Sequence, residues 1–163
     1  MSPTATAVET PETATDHQQS PTINELNPYI CLNGTVEKAI RLYESALGAK
    51  VESVQRYGDV PGGGCGPVAA EHQSLIIHAA VRIGPGVVMF TDTTPERAAP
   101  AQSNVAIALQ FEDQEEMAKA FAALAAGGTV DCPISDAFWG AKFGALKDAY
   151  GVGWMLSCPL AKA

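Results

Sequence analysis

The sequence predicts an α+β protein made of two tandem βαβββ modules that together form a curved cleft. Three observations carry this expectation. The order strand, helix, strand, strand, strand occurs twice. Landmarks of the first half return in the second: Asn27 as Asn104, Gly48-Ala-Lys-Val51 as Gly127-Gly-Thr-Val130, and Val88-Met-Phe90 as Trp154-Met-Leu156. Between the copies, Thr93 to Ser103 is rich in Pro, Ala, Thr and Gln and reads as a linker. The division is then 1–22 as a disordered tail, 23–92 as the first module, 93–103 as linker and 104–163 as the second module.

The tail holds Thr, Ala, Pro, Ser, Glu and Gln, with almost nothing to bury against the entropy of ordering it. Pro28 to Leu32 reads as a strand ending at Asn33-Gly34. Thr35 is placed to cap a helix whose apolar residues Val36, Ile40, Tyr43 and Leu47 fall on one face. Gly48 stops that helix, as a residue free to take positive φ does. Val51 to Gln55 is a second strand. Asp59 to Gln73 contains Pro61-Gly-Gly-Gly-Cys-Gly-Pro67 and reads as a loop or lid. It is not a phosphate cradle, since no Lys-Ser/Thr and no helix follow it. Ser74 to Ile83 and Val87 to Thr91 form a hairpin around Gly84-Pro-Gly86.

The second copy opens with a strand from Asn104 to Phe111. Asp113 with Glu116 makes a capping box, and Met117, Phe121 and Leu124 form the buried stripe before Gly127-Gly128. Val130 to Ile134, Lys142 to Lys147 and Gly153 to Cys158 complete the set of strands. Each half then has one sheet face covered by its helix and another left open.

Composition excludes several classes of function. The chain of 163 residues carries 18 Asp and Glu against 10 Lys and Arg, a net charge of −8, so no basic stripe exists to engage nucleic acid. No apolar run approaches the roughly 20 residues that span a bilayer, and no secretory leader opens the chain. A cytoplasmic location is expected, with Cys31, Cys65, Cys132 and Cys158 reduced and Cys65 the most exposed of them. No CxxC pair and no Gly-x-Ser-x-Gly elbow is present.

The residues Leu26-Asn-Pro-Tyr29, Asn33-Gly34, Ala39-Ile-Arg-Leu-Tyr43 and His78-Ala-Ala-Val-Arg-Ile-Gly84 carry a resemblance, together with Phe138-Trp-Gly-Ala-Lys-Phe-Gly144, Asp148 and Gly151-Val-Gly-Trp-Met155. Over residues 24 to 159 the chain resembles the vicinal oxygen chelate superfamily of glyoxalases, bleomycin-resistance proteins and extradiol dioxygenases, in its PhnB-like branch. The resemblance implies a glyoxalase/bleomycin-resistance-like fold and a homodimer in which module one of one chain faces module two of the other. It also implies a divalent metal held from the first and last strand of each module. Here those positions are Pro28 (or Asn27), Met89, Ala106 and Met155. None is a usual ligand for Zn, Ni, Mn or Fe(II), so no such metal and no cofactor is expected.

His78 is the one histidine inside an expected strand and is the candidate general base, with Asp136 or a water beside it. Cys31 lies on the first strand, within possible approach of His78 across the sheet. Tyr29, Met89, Phe138, Trp139, Lys142 and Met155 are the candidate ligand contacts; Trp139 is weighed as a wall of the pocket mouth. Trp154 is assigned to the core, because it alternates with Met155 along a strand. Asp148 is read as a turn residue. These residues fit a small-molecule-binding protein without the usual divalent metal; the alternative is a lyase or isomerase that uses His78.

Overall fold

The computed structural model describes residues 22–60, 62, 68–100 and 103–160. The tail up to residue 21, Cys65, and all of the Pro61-to-Pro67 stretch except Gly62 lie outside the described residues. The chain runs β1 (Tyr29–Leu32), α1 (Val36–Leu47), β2 (Lys50–Arg56), β3 (Ile76–Ile83), β4 (Gly86–Asp92), β5 (Ala106–Gln110), α2 (Gln114–Ala125), β6 (Thr129–Ala137), β7 (Ala141–Lys147) and β8 (Gly153–Pro159). The βαβββ order therefore occurs twice. Each copy makes one mixed four-stranded sheet, β1-β4-β3-β2 and β5-β8-β7-β6, with the first strand parallel to the last. Short 3-10 turns at Tyr57–Asp59, Ala70–His72 and Pro95–Arg97 punctuate the loop and the linker. Among the described residues no helix is long and apolar enough to cross a membrane.

The helices form where the apolar stripes predict. Val36, Ala39, Ile40 and Tyr43 are the buried face of α1, and Met117, Ala120, Phe121 and Leu124 that of α2. Gly48 ends α1 at φ 62°, in the left-handed region that glycine occupies at little cost. The cap of α1 differs from the sequence expectation. The Thr35 side chain makes no capping bond; buried Asp92, at the end of β4, accepts from the Val36 N–H at 2.9 Å and from the Ile76 N–H at 3.0 Å. A carboxylate from a distant strand thus does what a local hydroxyl was expected to do. In α2 the local cap does form, with Asp113 accepting from the Glu116 N–H at 2.8 Å.

The helix-facing sides of both sheets join one continuous core. Its centre is Tyr43 on α1, whose ring packs on Phe90 of its own module at 5.7 Å and on Trp154 of the other at 5.1 Å. Helix α1 also packs against α2. Trp154 is 1% exposed, the core position that its alternation with Met155 predicts.

Asp148 closes this junction. One carboxylate oxygen accepts from the Tyr43 hydroxyl (2.8 Å) and the Trp154 indole N–H (2.9 Å), and the other from the Tyr150 and Val152 N–H groups (2.9 and 3.0 Å). Burial first, then the carboxylate beside it, pushes the Tyr43 phenol far above the usual tyrosine range of about 10. In the unfolded chain that phenol ionises near pH 10, while in the folded chain it stays protonated. The hydroxyl's stabilisation is therefore whole below pH 10 and is lost as the pH rises beyond it. Denaturant unfolding of the wild type and Tyr43→Phe should show a stability gap that is constant below pH 9. Above pH 10 the gap should shrink by up to about 1.4 kcal/mol per pH unit. A gap that stays constant to pH 11 contradicts this assignment.

Candidate functional site

Strand alternation divides the side chains cleanly. On β4, Val88, Phe90 and Asp92 point to the helices, which leaves Val87, Met89 and Thr91 on the open face. The register Tyr29↔Met89 and Ala80↔Met89 puts Tyr29, Met89 and Ala80 in one row across β1, β4 and β3. In the next row Cys31 is opposite Thr91 and His78 is opposite Gln55, one step beyond the last β3–β4 pair, Ala79↔Phe90. Tyr29, Met89 and His78, three residues singled out from the sequence, therefore share one surface. The Tyr29 and His78 rings lie 6.1 Å apart, tilted by 48°, so the two side chains approach each other over β4. Burial raises the Tyr29 phenol above its ordinary range. Cys31 and His78 sit two strands apart, and no hydrogen bond joins them among the described residues.

The second module repeats the arrangement with different chemistry. Ala108, Met155, Ala145 and Cys132 form one row of the open face, and Gln110, Ser157, Phe143 and Ser135 the next. Phe138 and Trp139, in the turn between β6 and β7, stack edge-on to each other at 4.9 Å, and Trp139 does the same with Phe143 at 5.5 Å. Phe138 is 98% and Trp139 54% exposed, an aromatic ledge at the rim of this face.

Asp136 and Lys142 stand apart from that ledge. The sequence ended one strand at Ile134, before Asp136, and began the next at Lys142; β6 instead runs on to Ala137, and β7 begins at Ala141. They face each other as a register pair and form an ion pair at 2.7 Å. Lys142 is also opposite Cys158, whose side chain is buried against the helices, so the pair belongs to the opposite phase from Phe143 and Met155. Asp136 is thus committed to Lys142, on a different sheet from His78.

The register also refines the internal repeat. Met89 pairs with Tyr29, whereas Met155 pairs with Ala108, so Ala108 rather than Ala106 occupies the place of Tyr29. With either alignment the family's metal positions offer a thioether from each module and otherwise proline, an asparagine amide, alanine or a phenol. No group of three or more His, Cys, Asp and Glu among the described residues could hold a metal ion. These residues do not fit a hard divalent ion that needs imidazole and carboxylate donors.

Two cavities flank the junction of the modules. One of about 1060 Å³ lies between the free edge of β1, the linker near Ala99 and the Tyr150–Gly153 turn. The other, about 710 Å³, lies between the end of α1, the β3–β4 turn, β5 and α2. Tyr29 lines the first; His78, Trp139 and Met155 line neither. Sequence reasoning missed Asp92 and saw Asp148 only as a turn residue; among the described residues these are the two buried carboxylates, and they hold the scaffold of the site.

Comparison with known proteins accords with this geometry. Residues 25–156 match the model of the Glyoxalase/Bleomycin resistance protein/Dioxygenase superfamily. Protein YjdN of Escherichia coli is 30% identical over 138 residues, covering 81% of this chain and 93% of that protein. The crystal structure of protein PA1353 from Pseudomonas aeruginosa superposes with a TM-score of 0.74 at 31% identity, covering 84% of this chain and 98% of the other. The PhnB protein of Bacillus cereus shares the fold, with a TM-score of 0.66 at 24% identity over 82% of this chain and 98% of that one.

Proposed function

The chain belongs to the Glyoxalase/Bleomycin resistance protein/Dioxygenase superfamily, and from that premise we propose that it binds a small molecule against its open sheet faces without the usual divalent metal. The observation that carries this reading is the pairing of an exposed aromatic ledge, Phe138, Trp139 and Phe143, with metal positions that bear Met89 and Met155. Aromatic faces and thioethers give dispersion and apolar burial but no polarisation of a substrate oxygen. Cleft closure comes from a homodimer in which the first-module face of one chain meets the second-module face of the other. Support for it is the exposure of Tyr29, Val51, Val54, Val130 and Met155, large apolar groups that a second copy would cover. Sedimentation that remains monomeric at all concentrations would remove the dimer. A cytoplasmic setting accords with the free thiols of Cys31, Cys132 and Cys158.

A ligand screen read by tryptophan fluorescence tests the proposal, because Trp154 is buried and Trp139 is not. A bound ligand should quench the emission of Trp139, and Trp139→Ala should weaken binding at least tenfold, the order of one lost aromatic contact. Binding unchanged in Trp139→Ala would refute it. A second reading, a lyase or isomerase, rests on His78, whose side chain makes no hydrogen bond to a described residue and lies near the Tyr29 ring on an open face. Chemical turnover abolished by His78→Ala would favour that reading, and binding without turnover would favour sequestration.

A further inference from the structure

We propose that the open face of the first module is a binding site for a soft monovalent metal ion, Cu(I), with Cys31, His78 and Met89 as its ligands. The inference stands beside the small-molecule reading and does not depend on it. Its ground is the register. Met89 is on β4, and Thr91, two residues further on, shares its face. Cys31 on β1 lies opposite Thr91. The β3–β4 ladder ends with Ala80↔Met89 and Ala79↔Phe90, and strand alternation carried one residue past it brings His78 to the far side of Thr91. A thiol and an imidazole thus flank one residue, and a thioether stands one row away on the same strand.

Reach is sufficient. Neighbouring strands are about 4.8 Å apart, so Cys31 and His78 are separated by about 10 Å at the backbone. One cysteine side chain, one imidazole and two bonds of about 2 Å to a shared ion span that distance above Thr91. His78 and the β1 side chains meet over β4, as the 6.1 Å separation of the His78 and Tyr29 rings records. Among the described residues none of the three donor atoms has a hydrogen-bond partner: Cys31 is a free, exposed thiol, and the side chains of His78 and Met89 make no hydrogen bond there.

Donor chemistry selects the ion. Thiolate and thioether sulfur prefer Cu(I) over Mg, Mn or Fe(II), and one imidazole completes a three-coordinate set. No carboxylate is paired into these rows, whose remaining members are Tyr29, Thr91, Ala80, Ser53 and Gln55. Binding releases the Cys31 thiol proton to solvent and leaves copper in the +1 state, so no electron is exchanged.

The test is an anaerobic titration of the reduced full-length protein with Cu(I), in competition with the coloured chelator bicinchoninate. One Cu(I) per chain should be withdrawn from the chelator. Cys31→Ser should weaken binding by about 100-fold or more and His78→Ala and Met89→Leu by at least about tenfold, the scale on which metal sites respond to altered coordination. Cys65→Ser and Cys132→Ser should bind as the wild type does. In the wild type, one equivalent of Cu(I) should also protect Cys31 from alkylation by iodoacetamide, a measurement that needs no variant. Wild-type affinity in Cys31→Ser overturns the proposal, as does an equal loss in Cys65→Ser or Cys132→Ser. A loss confined to Cys31→Ser, with His78→Ala and Met89→Leu unchanged, also overturns it, since that is a bare thiol and not a site.

Discussion

Replacing Asp148 with alanine should lower the stability of the protein by about 3–5 kcal/mol, a large part of the 5–15 kcal/mol by which a domain is ordinarily stable. Four donors converge on this one side chain, and all four lose their partner together. The Tyr43 hydroxyl and the Trp154 indole N–H are the critical pair, because both side chains are buried where water does not replace the lost acceptor. The damage reaches beyond the turn, since Tyr43 belongs to α1 of the first module and Asp148 to the β7–β8 connection of the second. Asp148→Asn keeps the volume but presents an NH2 group to one of the two donor pairs, so it should retain only part of the stability. Urea midpoints of wild type, Asp148→Asn and Asp148→Ala should fall in that order, with Asp131→Ala, on the exposed side of β6, close to wild type. Equal midpoints for Asp148→Ala and Asp131→Ala would show that the modules do not depend on this carboxylate.

Why Asp148 was legible only in part follows from its geometry. One of its oxygens accepts from Tyr150 and Val152, two and four residues on, and a turn assignment from Asp-Ala-Tyr-Gly captures that half. Its other oxygen serves Tyr43, 105 residues away in sequence, and no local pattern encodes such a partner. Asp92 is the same case: it caps α1 from 56 residues away, and local reasoning gave the cap to Thr35. The element order, by contrast, was legible because it rests on short-range periodicity. The stripe Val36, Ile40, Tyr43 lies within one helix, and the alternation of Val88, Met89 and Phe90 within one strand.

The candidate site divides along the same line. Tyr29 and Met89 share a face because strand alternation and a parallel first and last strand place them there, and both features are visible in the repeat. Asp136 was harder. The sequence reading ends that strand at Ile134, and Ser135 to Ala137 extend β6 three residues beyond it. Once inside the strand, Asp136 pairs with Lys142 in the phase of Cys158, one residue out of step with Phe143 and Met155. Asp136 and the aromatic ledge are adjacent in sequence and differ in facing, and the difference turns on where a strand ends.

Gly128→Ala should be the second most damaging change, costing about 3 kcal/mol, although it adds a single methyl group. A Cβ built at Gly128 would fall inside the van der Waals surface of the Lys147 carbonyl oxygen and 2.8 Å from the carbonyl carbon of Asp148. Both obstacles are backbone, so no side-chain rotation relieves them. The chain must instead separate where Thr129 pairs with Lys147, the first rung of the β6–β7 ladder. Any shift there carries Asp148 with it and stretches its bonds to Tyr43 and Trp154. The two substitutions therefore act on one network, and the double variant Gly128→Ala/Asp148→Ala should be less destabilised than the sum of its parts. Gly86→Ala is the control, since a Cβ there would meet only the Ile83 carbonyl oxygen, at an ordinary 3.8 Å. Urea midpoints for the four variants decide the matter: additive losses, or a Gly128→Ala midpoint equal to that of Gly86→Ala, would separate this close approach from the carboxylate that ties the two modules together.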